Sequence, residues 1–131
     1  MSKRIFLLII ILGLALAGCS GSGGGAAGSG AVRAVETYYN AIVAQDADQF
    51  TGVTCADYEE QALIELDSFQ GVETALDGFS CQESGTEGEF TLVKCQGKLV
   101  ASYGNEKMDF PLADRTHRVK NEGGDWRVCG Y

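Results

Sequence analysis

Apolar and polar positions alternate in three different ways along the chain. Residues 5–17, IFLLIIILGLALA, are apolar without interruption and follow the basic pair Lys3 and Arg4. That run is too short for a comfortable membrane-spanning helix, which needs about 20 apolar residues. Residues 32–44, VRAVETYYNAIVA, place Val32, Val35, Tyr39, Ile42 and Val43 at helical spacing, so one stripe of a helix is apolar. Asp46 stands three residues before Gln49, the capping-box spacing, ahead of Phe50 and Val53, which predicts a second helix. Asp57 and Glu60 repeat the signature before QALIEL, a short third helix. After Gly71 the period falls to two, and strands are predicted near 73–83, 88–103, 106–112 with an extension towards 120, and 125–130.

The turns between those strands are SGTEG, GN and NEGG, all compatible with hairpins. Met108, Phe110 and Leu112 alternate with Lys107 and Asp109, as on a sheet with one buried face. In 88–103 the phase changes, with Phe90 and Leu92 out of step with Val93, Leu99, Ala101 and Tyr103. A bulge near Gly97 would reconcile them. Helices first and an antiparallel meander afterwards predict an α+β domain, with N-terminal helices packed on one face of a curved four-stranded sheet.

Charge narrows the functions open to such a domain. The chain carries a formal net charge of -8, and removal of residues 1–18 would leave 8 basic against 18 acidic residues. An acidic surface repels phosphate backbones, which argues against nucleic acid as a partner. It also repels anionic lipid, so attachment to a membrane would have to be hydrophobic or covalent. Leu16-Ala17-Gly18-Cys19, placed after a positive start and an apolar run, resembles the lipobox of a bacterial lipoprotein signal peptide. The resemblance implies cleavage before Cys19 and a diacylglycerol thioether on its sulfur. Two or more acyl chains, palmitate among them, would anchor the protein in the cell envelope, facing away from the cytoplasm. The alternative is a plain secretory peptide cut at Ala17 or Gly18.

This reading divides the chain into a signal peptide (1–18), a lipidated cysteine with a Gly/Ser/Ala tether (19–31) and a folded domain (32–131). Gly23, Gly25 and Gly28 satisfy G-x-G-x-x-G, but no alternating strand–helix units follow to build a dinucleotide-binding sheet, so no cofactor is expected. The other cysteines, Cys55, Cys81, Cys95 and Cys129, are an even set with three connectivities. Cys81 and Cys95 lie on adjacent predicted strands at similar distances from the turn near Gly88, which pairs them and leaves Cys55 for Cys129. Loops of these lengths correspond to about 3 and about 4–5 kcal/mol of stabilisation. Zinc is the competing use of four cysteines, but no C-x-x-C spacing is present and His117 is the sole histidine, so no metal is expected.

AVETYYNAIVAQDADQF resembles the opening of nuclear transport factor 2-like (cystatin-like, cone-shaped) domains, and GGDWRVCGY resembles their last strand. The resemblance spans residues 32–131 and implies a pocket between helices and concave sheet, which some relatives use for proton transfer. Asp109, Asp114 and His117 are then the candidate acids and bases, with Tyr38, Tyr39 and Trp126 as pocket walls. Each has a simpler reading. Asp109 alternates onto the wet face, His117 sits in the charged stretch RTHRVK of an exposed strand, and Tyr39 and Trp126 are core aromatics. The favoured expectation is a non-catalytic module binding a small ligand or an envelope protein. The alternative is a pocket enzyme, an isomerase or hydrolase, using Asp109 or His117.

Overall fold

A computed structural model describes residues 29–131. The expected signal peptide, Cys19, the glycine motif and nearly all of the expected tether lie outside the described residues. Helix α1 (Gly30–Ala44) begins two residues earlier than the apolar stripe suggests, taking Gly30 and Ala31 into its first turn. Ser29 caps it by accepting a hydrogen bond from Val32 N. Trp126 explains why the helix can start on a glycine: a Cβ at Gly30 would lie 2.2 Å from the indole ring. At the other end Gln45 turns the chain out of the helix in the left-handed conformation (φ 54°), and its Nε2 donates to the carbonyls of Phe69 and Val72.

Helix α2 (Ala47–Gly52) is capped by Asp46 on Gln49 N, as its spacing predicts. Helix α3 (Ala56–Ser68) is not capped by Asp57; its cap is Cys55, and Asp57 falls in the first turn. The start of α3 is set from elsewhere. Cys55 N donates to Val128 O, and Cys55 is bridged to Cys129.

The helices precede a curled antiparallel sheet, so the architecture is α+β. Its strands are β1 (Glu73–Glu87), β2 (Phe90–Tyr103), β3 (Glu106–Pro111), β4 (Thr116–Glu122) and β5 (Asp125–Val128). The path runs β1-β2-β4-β5, with β3 also paired to β2. The stretch expected as one strand with an extension is therefore two strands. A turn at Leu112–Arg115 breaks them, and they share one edge of β2: β3 pairs with Lys98–Tyr103 and β4 with Thr91–Lys94.

Gly97 lies between those two segments (φ 85°). There the register with β1 slips, because Asp77 faces Lys98 and Ser80 faces Gln96, leaving Gly78 and Phe79 opposite Gly97 alone. The bulge is where the sequence suggests, but its extra residue belongs to β1. Strand β2 keeps one phase throughout: Val93, Cys95, Leu99 and Ala101 are all buried. Phe90 and Leu92 instead face the other side, where the Arg118 guanidinium lies 4.1 Å from the centre of the Phe90 ring.

Helix α1 lies across the sheet and supplies Val32, Val35, Tyr38, Tyr39 and Ile42 to the core. Phe50, Ala62, Leu66 and Phe69 close it from the other helices, and Val93, Leu99, Leu112, Val119 and Val128 from the sheet. Each large side chain buried this way contributes about 1.5–3 kcal/mol. Of the predicted stripe only Val43 is left half-buried. Met108 is exposed and Phe110, edge-on to Phe69, is partly so, while Leu112 is fully buried.

Both predicted disulfides form, Cys55–Cys129 and Cys81–Cys95. The second joins residues directly opposite in the β1–β2 register. A Cβ at Gly97 would meet Asp77 O at 2.4 Å and the Gly78 carbonyl at 2.5 Å, both backbone groups with no freedom to yield. Gly97→Ala should therefore cost about 2–4 kcal/mol in urea unfolding, from overpacking plus the left-handed backbone. Gly88→Ala has the same backbone sign (φ 59°) but open space around its Cβ, and should cost about 1 kcal/mol.

Candidate functional site

The densest polar chemistry in the fold sits between α1, α3 and β4. On β4 the burial alternates, so His117 and Val119 face the core while Arg118 and Lys120 are partly exposed. His117 is thus fully buried, contrary to the exposed position that its charged neighbours suggest. The charge of the stretch misleads; the period-two relation to Val119 is the better signal.

Tyr39 and His117 are brought together, with Tyr39 Oη 2.8 Å from His117 Nε2. The other ring nitrogen, Nδ1, lies 3.3 Å from Val93 O. A carbonyl only accepts, so Nδ1 carries the proton and Nε2 receives the Tyr39 hydroxyl. Arg115 Nη1 then donates to Tyr39 Oη at 3.4 Å and to Glu65 Oε1 at 2.7 Å. Glu65 also accepts from Tyr38 at 2.5 Å and from Tyr131 at 3.2 Å. Tyr131 lies beneath the Arg115 guanidinium, 4.3 Å from ring centre to charge. The result is a directed chain of hydrogen bonds with one ion pair in it, spanning both helices and the sheet.

The protonation states agree with this direction. Burial pushes the His117 pKa down to about 4, assisted by the Arg115 charge and only partly opposed by the Val93 hydrogen bond. Burial also raises the phenols of Tyr38 and Tyr39; the Glu65 charge adds to the rise at Tyr38, while at Tyr39 Arg115 opposes it without cancelling it. Tyr131 is pushed up to about 12 by burial and then by Glu65. Burial works against the Arg115 charge, yet its bonds to Glu65 and Tyr39 outweigh that and hold it above the ordinary guanidinium value.

The remaining candidates lie apart from this chain. Asp109 is exposed and bound to Lys98 at 2.6 Å, on the wet face as predicted. Asp114 is exposed in the turn before β4. Trp126 is half-buried against Gly30, beside a shallow groove bordered by Arg33, Thr37 and Asp125. A cavity of about 200 Å³ opens elsewhere, beside the Cys55–Cys129 bridge, between Tyr58, Phe90 and Lys120. It meets none of Tyr38, Tyr39, Asp109, His117 and Trp126. Among the described residues, no three His, Cys, Asp or Glu side chains gather so as to hold a metal ion.

Glu65 and Arg115 are central to the chain and escaped the sequence reading. Glu65 had a usable signal: Tyr58, Ala62, Leu66 and Phe69 form the inward stripe of α3, and Glu65 lies on its edge. A carboxylate there requires an inward partner. Arg115 closes the turn that separates β3 from β4, and no spacing in the sequence reveals that turn. No family model matches the chain, and no curated protein matches it.

His117 carries a pH dependence whose sign follows from its lowered pKa. Below its unfolded value, about 6.5, the unfolded chain takes up a proton that the folded chain refuses until about pH 4. Its stability contribution is complete above pH 6.5 and lost as pH falls towards 4, at roughly 1.4 kcal/mol per unit. Urea midpoints at pH 7, 6 and 5 should fall in that sense, and His117→Gln should flatten the slope. Glu65→Ala, which strands the half-buried Arg115, should cost about 2–3 kcal/mol in the same assay.

Proposed function

We propose that the chain is an exported, lipid-anchored lipoprotein of the cell envelope, whose domain is a nuclear transport factor 2-like binding module and not an enzyme. The observation that carries this reading is the division of the cysteines. Cys55, Cys129, Cys81 and Cys95 pair among themselves, which leaves Cys19, the one cysteine in a lipobox context, outside both bridges. Structural disulfides belong to oxidising compartments, which an exported chain reaches. The acyl chains would supply the membrane affinity that an acidic surface lacks.

The curled sheet with helices laid across it suits the superfamily suggested by AVETYYNAIVAQDADQF. The binding role is favoured over catalysis by the state of the two candidate bases. His117 has its lone pair taken by Tyr39 and its proton held at Val93, and Asp109 is committed to Lys98 at the surface. A general base needs a free lone pair facing substrate.

Cys19→Ala tests the anchor. The wild type should incorporate labelled palmitate and partition into detergent, whereas the variant should accumulate as unacylated, uncleaved precursor. Normal processing and membrane retention of the variant would refute the assignment.

A further inference from the structure

Strand β1 is a free edge of the sheet, since its partner along the path is β2 alone. It is also long, 15 residues, and none of them is buried. From Gln82 to Glu87 every residue is exposed, so this half of the strand gains nothing from the hydrophobic core. Among the described residues no backbone hydrogen bond reaches β1 from outside the sheet. A row of outward N–H and C=O groups is therefore open to pairing.

Edges of this kind are usually blunted by lysine, proline or a short length. Strand β1 has neither residue type; it is blunted by the bulge at Gly78 and Phe79, by a smaller irregularity near Ser84 and by acidic side chains, which repel acidic partners and admit basic ones. Its charged side chains are Glu73, Asp77, Glu83 and Glu87, all acidic. Asp77 and Glu87 have partners in Lys98 and Arg118, while Glu73 and Glu83 have no ion pair among the described residues. The Cys81–Cys95 bridge clamps the uncovered half of β1 to β2. A rigid edge lowers the ordering cost of adding a strand.

We propose that β1 is a docking edge for an extended, basic segment of another protein, which adds to the sheet as a further antiparallel or parallel strand. Backbone pairing would supply the affinity, and lysine or arginine opposite Glu73 or Glu83, which the bulge sets on opposite faces of the sheet, the selectivity. A second copy of this chain is disfavoured as the occupant, because pairing β1 with β1 sets an all-acidic strand against itself. The inference deepens the binding-module reading and makes no use of the anchor.

Fluorescence anisotropy tests it with synthetic peptides of roughly nine residues, alternating valine or threonine with lysine, with glutamine or with glutamate. The lysine peptide should bind the full-length protein, the glutamine peptide about tenfold more weakly, and the glutamate peptide not at all. Two further lysine peptides carry backbone N-methyl groups on odd or on even residues. One should lose binding at least about tenfold and the other keep it, since only one edge of a strand pairs. Glu73→Lys with Glu83→Lys should exchange the preference between the lysine and glutamate peptides. The proposal is overturned if both N-methylated peptides bind like the parent, which would leave charge alone, or if no peptide binds below about 1 mM. It is also overturned if amides of β1 gain exchange protection with protein concentration, which would mean self-pairing. Any of these results leaves the acylation outcome of Cys19→Ala unchanged, so the two readings fail separately.

Discussion

The close crossing of Gly97 beneath the backbone of Asp77 and Gly78 organises the rest of the sheet. Two strands cannot approach so nearly with a Cβ between them, and at this crossing β1 takes up its extra residue. Two runs of β2 result, one on either side of the glycine. Each receives its own partner on the far edge, β3 beyond and β4 before. Leu112 closes the gap by donating its N–H to Gly97 O. The curl this produces brings β4 and β5 around to meet α1, so that Val119 and Val128 reach the same core as Leu99.

Within that core the hydrogen-bonded chain from Tyr38 to Val93 fixes how the layers sit against one another. Hydrophobic contact alone is non-directional and would allow α3 to slide, since its inward stripe is short. Glu65 removes that freedom by taking bonds from α1, from the segment before β4 and from Tyr131. Breaking one member leaves a polar group without a partner, which is how a polar core confers uniqueness of packing. The same saturation leaves His117 with a partner on each ring nitrogen.

Much of this was legible in the residue pattern. The α1 stripe, the Asp46 cap and the hairpin turns at Gly88, Gly104 and Gly123 all follow from local chemistry that the structure keeps. The disulfide pairing could be read because strand neighbours and turn positions were nearly right. The division of 106–122 into two strands was not legible, because it depends on β2 having two free runs, a property of its partner. His117 was misjudged for a related reason: composition describes the neighbours of a residue in sequence, while burial is decided by which face of β4 the helices cover. Arg115 and Glu65 are fifty positions apart, and no local rule joins them.

The two bridges differ in when their halves become available. Cys81 and Cys95 are separated by one hairpin, so both are present as soon as β2 has emerged. Cys55 precedes them both, and its partner Cys129 is 74 residues further on. On a chain released from its N-terminal end, three of these four thiols would therefore coexist before the last arrives, and Cys55 would be the unmatched one. Closure of the β1–β2 hairpin first would reserve two of the three for each other and guard against a scrambled pairing. The order of the cysteines along the chain thus acts as a timetable for oxidation.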